Sequence, residues 1–134
     1  MSLKVYLAGG FKSDWQSKVM DAVVGNVIFF NPKSHQLKDP KQYTLWDLEA
    51  IKNCDYVLAY LEADNPGRGV LLEIGYAKGL GKQVIFVNES GDKYTAIAEA
   101  AADAVCADLN ESINLLTRVQ VFYTKDDNER FDRT

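Results

Sequence analysis

Glu73 is the side chain whose neighbours most favour chemistry. It lies among Leu72, Ile74 and Ala77, just past the turn Asn65-Pro66-Gly67-Arg68-Gly69, so on a helix it borders a buried face. A buried carboxylate without partners costs several kcal/mol, so something must compensate it. Held that way it can act as a nucleophile or a base; the alternative is a surface glutamate. If its helix starts at Gly69, Glu73 falls about one turn in, where the positive helix end modestly favours the ionised form. Asp47, with Tyr43 one helical turn before it, is a second carboxylate near the same edge. On pattern alone Asp47 reads as a helix-face aspartate pairing with Lys52 or solvent. Asp55 reads as structural, stopping that helix and opening the next strand.

The glycines are the other chemical signal. Gly9-Gly10 lets the backbone turn sharply and approach a ligand closely, and the helix that follows offers N–H donors to an anion or hydroxyl. A plain tight turn explains the pair equally well, and the spacing of a dinucleotide-binding fingerprint is missing. Gly67 and Gly69 permit positive φ and free backbone donors for a sugar or phosphate, although Pro/Gly turns are common. Arg68 reads as solvated. His35, the single histidine, lies in a polar loop and also reads as solvated, with no Ser/His/Asp arrangement around it.

Short apolar runs bounded by Gly, Asn and Pro must position these groups. Residues 4–8 read as a strand buried on both faces, 27–30 and 56–61 as further buried strands, 83–87 as a fourth strand and 104–106 as a short fifth one. Helices are expected from about 13 to 25, over 43–53, 70–80 and 94–102, and over 110–117. Residues 119–123 read as an added edge strand, and 125–134 as a charged tail able to fray. The loop over 33–42 is longer than the usual strand-to-helix connection. Strands alternating with helices specify α/β architecture: a flavodoxin/Rossmann-like three-layer sandwich on a five-stranded, mainly parallel sheet. Ligands bind such sheets outside the carboxyl ends of the strands, where the glycine-bearing loops fall.

At 134 residues the chain makes one domain, with 47% hydrophobic and 25% charged residues, as in soluble globular proteins. Its net charge of −4 and lack of a basic tract argue against nucleic-acid polymers as partners. Cys54 and Cys106 have neither metal-site spacing nor a disulfide framework, so no metal or cofactor is expected. No apolar run approaches membrane-spanning length and residues 1–4 are too short for a signal peptide, which makes a cytoplasmic protein the simplest expectation.

Three segments together resemble the nucleoside 2-deoxyribosyltransferase family: KVYLAGGF from Lys4, DLEAIKNCD from Asp47, and GRGVLLEIGYAKGLGK from Gly67. The resemblance runs over residues 4–87, with a weaker echo in DAVCADLNESINLL. It implies that Glu73 is the nucleophile, that Asp47 assists at the nucleobase, and that Tyr6 helps position the nucleophile. It makes Asp64 the position for the sugar-contacting aspartate, although three apolar residues lengthen the stretch between Gly69 and Glu73. Phe11, Tyr43 or Trp15 could stack on the base, or belong to the core. Members share active sites between subunits, so a homodimer or larger homo-oligomer is implied, with Asn88 and the Lys93–Tyr94 region as candidates for the shared residues.

The implied ligand is a nucleoside or nucleotide, and the implied reaction is cleavage of its N-glycosidic bond through a covalent glutamyl-deoxyribosyl intermediate. Related glycosidases hydrolyse nucleoside 5′-monophosphates, and Ser13, Ser34 and Ser90 near the expected edge could supply phosphate-binding hydroxyls. A non-catalytic nucleotide-sensing module of the same fold is the alternative from another class. Glu73 argues against it, because a binding module has little need of a carboxylate buried beside its ligand.

Overall fold

The computed structural model describes residues 2–63, 67–92 and 95–124. Asp64, Lys93, Tyr94 and the charged tail over 125–134 lie outside the described residues. The chain alternates β1 (Leu3–Gly9), α1 (Trp15–Ala22), β2 (Val27–Phe30), α2 (Pro40–Asn53), β3 (Tyr56–Leu61), α3 (Arg68–Gly79), β4 (Gln83–Asn88), α4 (Ala96–Ala101), β5 (Ala104–Cys106) and α5 (Leu109–Thr124). A short 3-10 turn, Pro32–Ser34, follows β2.

All strand pairs are parallel, in the order β2-β1-β3-β4-β5. This is the flavodoxin-like order, in which chain progression reverses between β1 and β3. Successive side chains of the inner strands β1, β3 and β4 enter opposite cores, which is why their sequences are largely apolar rather than alternating. The edge strand β2 departs from its expected burial, with Ile28 exposed, and β5 leaves Val105 exposed, because each has a neighbouring strand on one side only. From β1, Tyr6 and Ala8 join Val57, Ala59, Val84 and Phe86 under Ile51, Val70, Ile74 and Ala77 of α2 and α3. Leu3, Val5 and Leu7 join Leu58, Ile85 and Val87 under Trp15 and Val19 of α1 and Leu109, Ile113 and Leu116 of α5. The result is the expected three-layer sandwich, and Tyr6 is committed by its register to the α2/α3 side.

Two expectations fail for local reasons. Residues 119–123 form no edge strand; they continue α5 to Thr124. Their β-branched and aromatic run suggests a strand, but Leu109, Ile113, Leu116 and Gln120 bury one helical stripe that carries on past Thr117. Thr117 itself donates its hydroxyl to the Ile113 carbonyl at 2.8 Å, satisfying its polar group within the helix. Helix α2 starts at Pro40 rather than at Tyr43, because Asp39 caps it by accepting from the Gln42 N–H at 3.3 Å and Pro40 occupies the first turn. Asp55 is structural, as expected: its carboxylate accepts from the Lys4 N–H at 2.9 Å, and its own N–H donates to the Lys4 carbonyl at 2.8 Å.

Candidate active site

The carboxyl ends of β1 and β3 open onto a cleft of about 420 Å³, at the point where strand order reverses. Gly9, Gly10 and Phe11 line it from the β1 loop, His35 and Leu37 from the loop after β2, Tyr43 and Asp47 from α2, and Gly67, Gly69, Val70 and Glu73 from α3. A larger groove of about 720 Å³ flanks α2, but its one titratable lining side chain is the exposed Glu49. The paired carboxylates belong to the smaller cleft.

Its floor is a short polar relay in an otherwise apolar layer. Tyr6, fully buried on β1, donates its hydroxyl to Oε2 of Glu73 on α3. Burial pushes the Tyr6 phenol far above its usual range, and the neighbouring charges of Glu73 and Asp47 add to the effect, so Tyr6 is a neutral donor at every ordinary pH. Burial likewise pushes Glu73 up to about 7; the Tyr6 hydrogen bond opposes this and the charge of Asp47 adds to it. The dipole expectation is therefore overridden. With α3 starting at Arg68, Glu73 lies beyond the first turn, where the helix end has little influence, and desolvation decides.

Asp47 does not pair with the exposed Lys52. It faces His35, with Oδ1 3.4 Å from Nε2 and side chains that are 20% and 9% exposed. Burial raises the Asp47 carboxyl above its ordinary value, while the nearby His35 and the Tyr6 hydroxyl pull it down. His35 is thus a buried partner of a site carboxylate, contrary to its reading as a solvated loop residue. Sequence distance hid the pairing: the two residues share neither an element nor a regular spacing. The one available signal was the unusual length of the loop that carries His35.

Gly9 is where a turn after a buried strand needs glycine. A Cβ there would lie 2.5 Å from Trp15 Cζ2 and 2.9 Å from the Tyr60 carbonyl oxygen. Trp15 Nε1 and Gln16 Nε2 both donate to the Gly10 carbonyl at 3.0 Å, which fixes the loop that forms one wall of the cleft. Trp15 is thereby spent on the core, 3% exposed and edge-on to Tyr60 at 5.2 Å. Phe11, 51% exposed at the cleft, and half-buried Tyr43 remain available to meet a planar ligand. Gly67, at φ 48°, adopts the left-handed conformation that starts α3 without a side-chain cap.

Asn88 is not brought to this cleft. Its amide nitrogen donates to Thr95 Oγ1 at 2.9 Å and Glu99 Oε1 at 3.1 Å, and its oxygen accepts from the Ser90 N–H at 3.1 Å and from the Ser90 hydroxyl. The side chain braces the β4–α4 loop instead. The three serines are also engaged elsewhere: Ser13 with buried Glu62, Ser34 with the Asn31 carbonyl at 2.7 Å, and Ser90 with Asn88. Among the described residues no group of three or more His, Cys, Asp or Glu could hold a metal ion. No helix of these residues is long and apolar enough to cross a membrane.

Residues 2–90 match the family model described as nucleoside 2-deoxyribosyltransferase like. Among solved structures, the chain is similar to a 2-deoxyribosyltransferase from Bacillus psychrosaccharolyticus, at TM-score 0.68 and 23% identity over 83% of this chain and 90% of that one. It is similar to the 2-deoxyribosyltransferase of Leishmania mexicana at TM-score 0.59 and 22% identity, over 71% and 70% of the two chains. A CMP N-glycosidase from Clostridium botulinum aligns at TM-score 0.58 and 21% identity, over 84% of this chain and 97% of that one. At these identities the structural likeness establishes the fold. No curated protein matches the chain.

Proposed function

Because the chain belongs to the nucleoside 2-deoxyribosyltransferase-like family, we propose that it is an enzyme cleaving the N-glycosidic bond of 2′-deoxynucleosides, with Glu73 as nucleophile, and passing the sugar to another base. The observation that carries this reading is the hydrogen bond from buried Tyr6 to Glu73, on the floor of a cleft that also holds Asp47. Glu73 attacks C1′ through an oxocarbenium-like transition state. The bond from C1′ to the base nitrogen breaks, the base leaves with the bonding pair, and Asp47 is the group that supplies its proton. The resulting deoxyribosyl ester of Glu73 is opened at C1′ by a second base, or by water, which restores the carboxylate.

The environment suits both roles. A nucleophile needs its charge and a base-side donor needs its proton; burial raises both carboxyls, and the Tyr6 hydrogen bond draws Glu73 back toward ionisation. Phe11 and Tyr43 border the cleft where a base can stack, while the Gly67 and Gly69 backbone allows a close approach of the sugar. A free nucleoside is favoured as substrate because Ser13, Ser34 and Ser90 have other partners. In addition, no described residue lining the cleft is Lys or Arg. Hydrolysis of a nucleoside 5′-monophosphate is the second reading, favoured by the N terminus of α3, which meets the cleft without a side-chain cap. The assembly is a homodimer or larger homo-oligomer, supported by exposed Leu45, Leu72 and Ile97 on the α2, α3 and α4 layer.

Chromatography of the protein with deoxynucleosides and their 5′-monophosphates, with and without an acceptor base, tests this. Base exchange that Glu73→Ala abolishes without unfolding the protein is the expected result. Free base without exchange means a hydrolase, and wild-type-like turnover in Glu73→Ala overturns the mechanism.

A further inference from the structure

We propose that His35 is a positioning residue for Asp47, acting as a fixed Nε2–H donor that orients the carboxyl group next to the departing base. This deepens the glycosyl-transfer reading and rests on it. Four features of the loop after β2 converge on one ring. The Leu37 N–H donates to His35 Nδ1 at 2.9 Å, so the proton of the neutral imidazole sits on Nε2. Gln36, between them, has φ 55°, a left-handed conformation costly for a residue with a Cβ, and this turn directs Leu37 N back onto the ring. Trp46 packs edge-on against the imidazole, with centroids 4.8 Å apart and planes at 66°. The side chain is nine-tenths buried, and Nε2 faces Asp47 Oδ1 at 3.4 Å.

Neither Nε2 nor Oδ1 has a hydrogen-bond partner among the described residues, so each is the natural partner of the other once the cleft is filled. Such contacts are often long in an empty site and tighten when substrate binds. With Nδ1 occupied as the acceptor for Leu37, the ring meets Asp47 through an Nε2–H donor. With Oδ1 held by His35, the rotation of the carboxyl is fixed. Tyr6, which donates to Glu73, also influences Asp47, so His35, Asp47, Tyr6 and Glu73 form one polar cluster. Strain at Gln36 is a cost that this ordering offsets.

With a single histidine in the chain, nitrogen-15 labelling reads His35 alone, without substrate. The Nε2–H tautomer is expected, with a ring proton that exchanges slowly in the wild type and faster in Asp47→Asn. An Nδ1–H ring, or one that Asp47→Asn leaves unchanged, overturns the pairing whether or not the protein turns over nucleosides. Kinetically, His35→Phe keeps a ring against Trp46 but removes both nitrogens. Its kcat is expected to fall about tenfold or more, with KM for a deoxynucleoside moving less than about threefold. His35→Gln, whose amide nitrogen reaches the Nε2 position, is expected to recover most of the loss, and thermal melts of both variants check the fold. In an Asp47→Asn background, His35→Phe should cost no more than Asp47→Asn alone. Additive losses, or full kcat in His35→Phe, refute the role. A wild type silent toward every nucleoside sinks the parent reading instead, and the tautomer result then decides the pairing by itself.

Discussion

Replacing Tyr6 with Phe removes one oxygen from the floor of the cleft and leaves the ring in its fully buried place on β1. That oxygen carries the hydrogen bond to Glu73, which pulls a carboxyl otherwise raised by burial back to about 7. A hydrogen bond to a charged group is worth about 1.5–3 kcal/mol. One pH unit of proton affinity corresponds to about 1.4 kcal/mol, so the ionisation midpoint of Glu73 should climb by about one to two pH units. At pH 7 the ionised share then drops from about half to between about one in ten and one in a hundred, and kcat falls about five- to fiftyfold. One effect runs the other way. Tyr6 also favours the charged form of Asp47, and an Asp47 that gains its proton no longer repels the charge on Glu73. That charge is a smaller cause than burial or the hydrogen bond, so the sign of the shift stands. The assay is the pH–rate profile of base exchange from pH 5 to 9, wild type against Tyr6→Phe. The acid limb should move to higher pH with most of the rate recovered at the alkaline end. An acid limb that stays in place, or a rate loss equal at all pH values, would refute the assignment of Tyr6 as the group that tunes Glu73.

Stability should carry the same signature. The Glu73 midpoint in the folded chain, about 7, exceeds its ordinary 4.5. The folded state therefore binds the extra proton between those values, and its contribution is complete below about 4.5 and lost as pH rises through 7. Glu73→Gln should gain up to about 3 kcal/mol over wild type at pH 8 and little at pH 4.5 by thermal melts; a pH-independent difference contradicts the burial argument. Gly9→Ala should lose about 1–3 kcal/mol, since its Cβ would sit 2.5 Å from Trp15 and 2.9 Å from the Tyr60 carbonyl oxygen. Denaturant midpoints measure this, and a neutral result would mean that the loop and Trp15 relax freely. Phe11→Ala removes an exposed aromatic edge of the cleft, so KM should rise about fivefold or more with the melting temperature unchanged. An unaltered KM places the base elsewhere.

The inner strands β1, β3 and β4 were legible because both of their faces are buried, and the edge strands β2 and β5, where Ile28 and Val105 are exposed, because their residue types are apolar all the same. An uninterrupted apolar run such as YVLAYL ends where its glycine or polar neighbour begins, and β2, β3 and β5 have the boundaries their sequences indicate. Helix ends were less legible. The start of α2 is set by Asp39 and Pro40, which in sequence look like loop residues, and α5 absorbs a run whose residue types favour a strand. For the site, Glu73 was marked by its apolar neighbours and its place after a glycine turn. Tyr6 and Asp47 acquired roles from the family resemblance, and the geometry joins them to Glu73 through one buried layer.

Sequence by itself therefore determined the layers, the sheet and the edge where chemistry is possible, since these follow from local periodicity and from the handedness of strand–helix–strand units. Tertiary structure alone decided proton affinities and partners. Whether Glu73 lies under a helix end or in a desolvated layer, whether His35 meets water or Asp47, and whether Asn88 faces a ligand or braces a loop all depend on groups that are distant in sequence and adjacent in space. Desolvation and the forces between charges depend on those through-space distances, and a one-dimensional pattern does not contain them.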